Sequence, residues 1–544
     1  MNQWCLLEQD NGSHQLITVE CADVLPDSTA EQIVVHVTKV WERGQAVLQM
    51  VRDQLGTELA DKLVPLVNGG VGIHKILGVM HDTCNAANKV AHLMGVLKRE
   101  TARLHYGDEV FEGKGEHAKV TLDFLCGNHS RNLLVVRFDK AYEEFMEVEL
   151  GEAIRAARQA TGGRVRLECS GAFFLRSICR LTHRGHAQYV KGDGDAFADF
   201  LEANYPNHSN ACVSRGDHSN RQDWSLEAAY EIFPLLGPLL DYEIKSLLGE
   251  ANVLRDSILI QLETLHFEAY VHVSAVMWRV IFKELRGLTN SKGLELNPID
   301  LNLLYEKLYD VGTLLQTEDA LKVLEPSFRP WPHIFQNNGR SKKFYTNIEK
   351  TLESDMELLR SFSGRQDEEK YRLMLLAVFK LFGKGIVDSL EYTMKDYLKQ
   401  TNGEYQTEGR PTWELEAASK MLCHNNAAER PFAVLRQYKR MYPSLSLGNL
   451  CKLIHSIINQ THRPASNVNE AGIAISGDPL LRECVSSLCQ VRTKTIGKIT
   501  KFIRAAHRAD SLESKEVPIL LPILLVTILL LPTFIPSSLP KPKG

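Results

Sequence analysis

The sequence predicts a predominantly α protein: an N-terminal α/β layer, a large all-helical insertion, and further helices at the C-terminal end. Three observations point there. Short runs of β-forming residues alternate with helix-like segments through about residue 168, the rhythm of an α/β layer. After Cys169 the texture turns mostly helical. Loops rich in Gly, Asn, Ser and Pro divide these helices at 203–223, 288–298, 325–343 and 401–411.

Residues 15–21 alternate and are rich in β-formers, which predicts a strand. Asp27-Ser28-Thr29 supplies caps for a helix running to about Gly56. Gly69-Gly70 breaks the chain, and 75–81 reads as a short buried strand that delivers Asp82 at its C-terminal end. A helix over 85–104, a charged Gly-rich loop over 107–115, a strand over 118–125 and a helix from Ser130 towards Thr161 follow. Helices are then predicted at 172–183, 225–249, 251–287, 299–316, 344–362, 366–400, 412–424, 428–441, 447–461 and 478–508. The domain division this implies is 1–168, an insertion over 169–410, returning helices over 411–465, a basic helical segment over 466–516 and an apolar tail over 517–544.

A net charge of −4 over 544 residues gives no global basic field, so nucleic-acid binding would have to come from local patches. The 11 cysteines are scattered without a CxxC pair, the usage expected of reduced thiols in an intracellular protein. The opening Met1-Asn2-Gln3-Trp4-Cys5 matches neither a secretory nor an amphipathic transit sequence. Residues 517–540 carry no charge, and their length suits a membrane span. Pro518, Pro522, Pro532, Pro536 and Pro540 interrupt them, so a tail anchor and a poorly ordered apolar extension are both open readings.

Asp82 would sit where a rigid strand aims a carboxylate and the following loop exposes it. Thr83, Asn85 and Asn88 suit either a hydrogen-bonded catalytic acid or a helix cap. Cys126 and His129 have the spacing of two zinc ligands, which His81 and Cys84 would have to complete. A buried Cys beside a hydrogen-bonded His, or a Cys–His catalytic pair, fits the same spacing. Glu429 begins a helix whose apolar face includes Phe432, Val434 and Leu435. An acid there either complements the helix dipole or is held on a packed element as a metal ligand. Acids converging from separate elements suit Mg²⁺ or Mn²⁺ and two-metal phosphoryl transfer.

The order Asp82-x-x-x-Ala86-x-Asn88, then Cys126-x-x-His129-x-x-Asn132-Leu133, then Ala427-Ala428-Glu429-Arg430-x-Phe432 resembles that of hAT-type transposases. The resemblance implies an RNase H-like core interrupted by the helical insertion, with Asp82 and Glu429 as catalytic metal ligands for Mg²⁺ or Mn²⁺. It further implies that Cys126, His129 and Asn132 form a structural motif and that the helices after Glu429 dimerise. The family's first aspartate lies on an opening strand, and the sequence leaves room for little before 15–21. Asp10 and Asp23 are the nearest acids, and neither sits as expected. The family's N-terminal zinc finger is absent too, and the expectation is therefore a truncated or transposon-derived element short of one acid, which should bind metal poorly and cut little while retaining DNA binding or dimerisation.

Two basic runs suit DNA phosphates. Arg436, Lys439 and Arg440 follow Glu429 on the same predicted helix. Lys494, Lys498 and Lys501 belong to a second run that has no acid between Cys484 and Ala509. The expected partners are DNA and a second copy of the chain, in the nucleus. The alternative is a non-enzymatic helical interaction protein held on an intracellular membrane through 517–540, with the second run as its polybasic flank.

Overall fold

The structure, a computed structural model, describes residues 2–8, 14–21, 29–35, 37–38, 42, 49, 53, 73–81, 85–163, 167–183, 193–208, 223–246, 253–290, 297–325, 327–328, 330–331, 356–357, 359, 367–405, 409–419, 421 and 438. The chain forms two compact units, Met1–Asn459 and Gln460–Gly544, and every described residue lies in the first. That unit is predominantly helical.

Four strands are found among the described residues, in two pairs. Strand β1 (Asn2–Glu8) runs antiparallel to β2 (His14–Cys21), with a register shift between Gln3 and Trp4. So a full strand precedes the one expected at 15–21, where the sequence left room for little. The run Trp4-Cys5-Leu6-Leu7 does not alternate, and only its pairing with β2 marks it as a strand.

Strands β3 (Gly78–His81) and β4 (Leu122–Leu125) are parallel, with Gly78 opposite Leu122 and His81 opposite Leu125. A parallel pair needs a crossover. It is made by α1 (Asn85–Tyr106) and the short α2 (Asp108–Glu112) and α3 (Glu116–Lys119). Both strands are shorter than the sequence suggests. Ile73–Lys75 is a 3-10 turn, and Glu116–Lys119 is a helical turn opened by Gly115. Glu116 suits that turn's N-terminal dipole.

Side chains alternate across the pair, so its two faces meet different neighbours. Val79 joins Ile73, Val90, Met94 and Leu97 in a small cluster against α1. Met80, Leu122 and Phe124 face the main core, which continues without a break to Ala418.

That core is built by α4 (Gly127–Ala160), α5 (Gly171–Thr182), α6 (Gly194–Asn204), α7 (Asp223–Ile232), α8 (Leu236–Ser246), α9 (Val253–Leu262), α10 (Leu265–Met277), α11 (Lys283–Asn290), α12 (Leu301–Leu315), α13 (Glu368–Thr393) and α14 (Thr412–Ser419). Helix α6 was not anticipated. The helix predicted over 225–249 divides into α7 and α8 at a 3-10 turn, Phe233–Leu235. Pro234 lacks the N–H that a continuous helix requires there. The stretch 251–287 divides near Thr264, and a π-helical turn at Trp278–Phe282 joins α10 to α11.

Helix α13 crosses α4 and α12 at very close range through glycines. A Cβ at Gly383 would meet the Gly312 carbonyl oxygen at 2.5 Å and Leu315 Cβ at 2.7 Å. One at Gly385 would meet Phe138 N at 2.8 Å and Cα at 2.9 Å. Those obstacles are mostly backbone and cannot step aside. Gly385→Ala is therefore expected to destabilise the fold by about 1–3 kcal/mol in urea unfolding, although alanine is the better helix former by about 1 kcal/mol. Equal or greater stability would show that α4 yields at this crossing.

Candidate functional site

The chemistry-bearing positions of the described unit gather at the C-terminal end of β3 and β4. The ladder ends with Cys126 N donating to His81 O at 2.9 Å. The chain leaving β3 and the chain entering α4 therefore depart from neighbouring points of the sheet. Asp82 is next in sequence after His81. Asp82, Thr83 and Cys84 lie outside the described residues.

His81 is nearly buried, and its Nε2 lies 2.5 Å from Asp123 Oδ1, whose side chain is half exposed. Alternation puts both on the face that carries Val79. Cys84, which with His81 would complete a site with Cys126 and His129, lies outside the described residues. Among the described residues no group of three or more His, Cys, Asp or Glu side chains is placed to hold a metal ion. Lys98, a residue the sequence did not single out, is buried on α1 and donates to Val120 O at 2.5 Å. Burial lowers its ammonium pKa to about 8.

The Cys126–Asn132 stretch forms the first turns of α4. Cys126 is the N-cap residue and is fully buried, as are Asn128, Ser130 and Arg131, whereas His129 is half-buried. Asn132 Oδ1 accepts from Asp223 N at 3.2 Å and so satisfies a donor at the start of α7. Arg131, which the sequence reading passed over, makes the stronger tie. Its Nε and Nη2 lie 3.0 and 2.9 Å from Asp223 Oδ2. Its Nη1 donates to Thr289 Oγ1 on α11 at 3.0 Å. The available signal was an arginine among the small and apolar residues of a buried helix face, which cannot stay charged without an acid. That acid, Asp223, fell at the edge of a segment read as loop.

The C-terminal part of the unit comes back to the same sheet. The Tyr405 hydroxyl donates to Asp123 O, and Leu125 N donates to the Tyr397 hydroxyl at 3.3 Å. Ala417 and Ala418 of α14 are buried in the main core. Met421 lies directly on β3, where a Cβ at Gly78 would meet its Sδ at 2.6 Å.

Glu429, Arg436, Lys439, Arg440, Lys494, Lys498 and Lys501 lie outside the described residues, as do Asp10, Asp23 and the tail over 517–544. No described helix is long and apolar enough to cross a membrane. Comparison with protein-family models, curated proteins and solved structures returned no match.

Proposed function

We propose that this chain is a transposase-like protein of the hAT type, with an RNase H-like core that a helical insertion interrupts. In this reading it binds DNA as a homodimer, and Asp82 and Glu429 share Mg²⁺ or Mn²⁺ for phosphoryl transfer. One observation carries it: Met421 packs on Gly78, so the segment that leads to Glu429 starts against the strand that leads to Asp82. Glu429 lies eight positions after Met421, a reach of about 12 Å as helix and more if extended. The parallel β3–α1–β4 unit agrees with this reading, because acids at the C-terminal ends of such strands are rigidly aimed. The third acid that such chemistry uses has no assignment.

Manganese uptake and plasmid nicking test the proposal. The wild-type chain is expected to bind Mn²⁺ and, short of an assigned third acid, to nick supercoiled DNA only weakly in its presence, and Asp82→Asn and Glu429→Gln to lose both. Identical metal uptake in all three proteins would overturn the shared site. DNA binding is read from fluorescence anisotropy with duplex DNA over a salt series. Replacing Lys494, Lys498 and Lys501 together with alanine is expected to flatten the plot of log K against log salt by about 3. An unchanged slope would remove these residues from the DNA interface.

A further inference from the structure

Three helices meet around the ring of Tyr270 on α10. Phe138 of α4 stacks on it, with centroids 5.2 Å apart and planes at 6°, and Tyr142 of α4 lies 4.5 Å away. Gly171 opens α5 against the same ring, where a Cβ would meet it at 2.5 Å. Tyr270 is fully buried, and a ring so enclosed has little room to turn. Its hydroxyl donates to Asp139 Oδ1 on α4. The Tyr142 hydroxyl ties the same two helices again, donating to His266 O at 3.0 Å.

Asp139 is the weak member of this joint. The residue is half-buried, but its Oδ2 is shut off from solvent and has no hydrogen-bond partner. The charges acting on it are Arg176 of α5, which attracts, and Glu143 of α4, which repels. Tyr142 and Ser274 are the other polar groups that act on the Tyr270 hydroxyl. Burial outweighs the Tyr270 bond and Arg176 and, with Glu143 adding repulsion, raises the Asp139 pKa from 3.8 to about 7. A neutral carboxyl accepts the Tyr270 bond without further help. Ionisation puts charge on an oxygen that nothing solvates. Half-burial gives that charge an exit: turning towards solvent hydrates the carboxylate and gives up the Tyr270 bond.

We propose that Asp139 and Tyr270 form a proton-operated latch between α4, which leaves the β3–β4 pair, and α10, which is buried along most of its length. The latch is closed while Asp139 holds a proton and loosens once that proton passes to solvent. In the closed joint the proton leaves near pH 7, and in the open, hydrated joint at the ordinary carboxyl value. Between those values opening releases a proton, so it becomes easier as pH rises and levels off above about 7. Hydrogen exchange of the full-length chain from about pH 5 to about pH 9 tests this. Protection at 265–277, relative to unfolded peptide, is divided by protection at 301–315 of α12. In wild type the ratio is expected to fall about 10-fold per pH unit up to about pH 7 and then level off. Asp139→Asn keeps the shape without ionising and should hold the ratio constant. Glu143→Gln removes an exposed repelling charge and should move the levelling-off to lower pH. That variant also decides the matter if Asp139→Asn does not fold. A wild-type ratio independent of pH, or a levelling-off that Glu143→Gln leaves in place, would overturn the latch. Parallel profiles for wild type and Asp139→Asn would overturn it too, because the titrating group would then be another.

Discussion

Arg131→Ala is expected to destabilise the folded chain by about 3–5 kcal/mol, read by circular dichroism in urea. The guanidinium is 1% exposed and Asp223 is 6% exposed, so neither charge has water to fall back on. Removing Arg131 leaves the Asp223 carboxylate and the Thr289 hydroxyl without this partner, three helices at once losing their common tie. The penalty comes mostly from the stranded carboxylate rather than from the lost attraction. Arg131→Met keeps much of the volume and should still be costly for that reason. The pair Arg131→Met with Asp223→Leu should recover most of the loss, because both charges have gone. If the double variant is as unstable as Arg131→Ala, packing rather than charge burial is the main contribution of Arg131.

Glu243 should give the chain a falling stability profile between about pH 4.5 and 8. This carboxyl on α8 is fully buried, and neither oxygen has a hydrogen-bond partner. Arg255 of α9 is 3.7 Å away and also pairs with Asp193, at 2.6 Å. Burial outweighs Arg255 and, with Asp193 and Asp256 adding repulsion, raises the Glu243 pKa from 4.5 to about 8. In the unfolded chain the group ionises at its ordinary value. Between the two values the folded state therefore holds a proton that the unfolded state has released. Stability falls as pH rises across that window, the reverse of a salt-bridged carboxylate, and levels off above it. Glu243→Gln should abolish this slope and leave stability almost unchanged at pH 4. At pH 8 the variant should be more stable by an amount on the order of 3 kcal/mol. Parallel pH profiles for the two proteins would show that Glu243 does not hold its proton in the folded chain.

The β3–α1–β4 unit was legible because its signals are local. A short apolar run, a helix of more than twenty residues and a second apolar run follow one another, and each reveals itself within its own window. Helices α4, α5, α12 and α13 were legible for the same reason. Strand β1 was not, since its identity depends on β2. Nor was the division of α7 from α8, where Pro234 sits in an otherwise helical pattern.

The residues that hold the site region together show a similar contrast. The sequence drew attention to Cys126, His129 and Asn132, and Asn132 does cap a neighbouring helix. It was silent on Arg131, whose partner is 92 residues away. Tyr397 and Tyr405 meet β4 from 272 and 282 residues along the chain.

By itself the sequence determined the predominance of helix, the strand–helix–strand order ahead of the insertion, and where Asp82 and Glu429 stand along the chain. Those properties follow from periodicity and neighbours, which act over a few residues. The tertiary structure alone decided that Arg131 answers Asp223, that the Tyr397 and Tyr405 hydroxyls meet the backbone of β4, and that Met421 rests on Gly78. Burial sets these pairings: a charge or a backbone group removed from water must find its partner wherever the fold brings one, and distance along the chain carries no record of it.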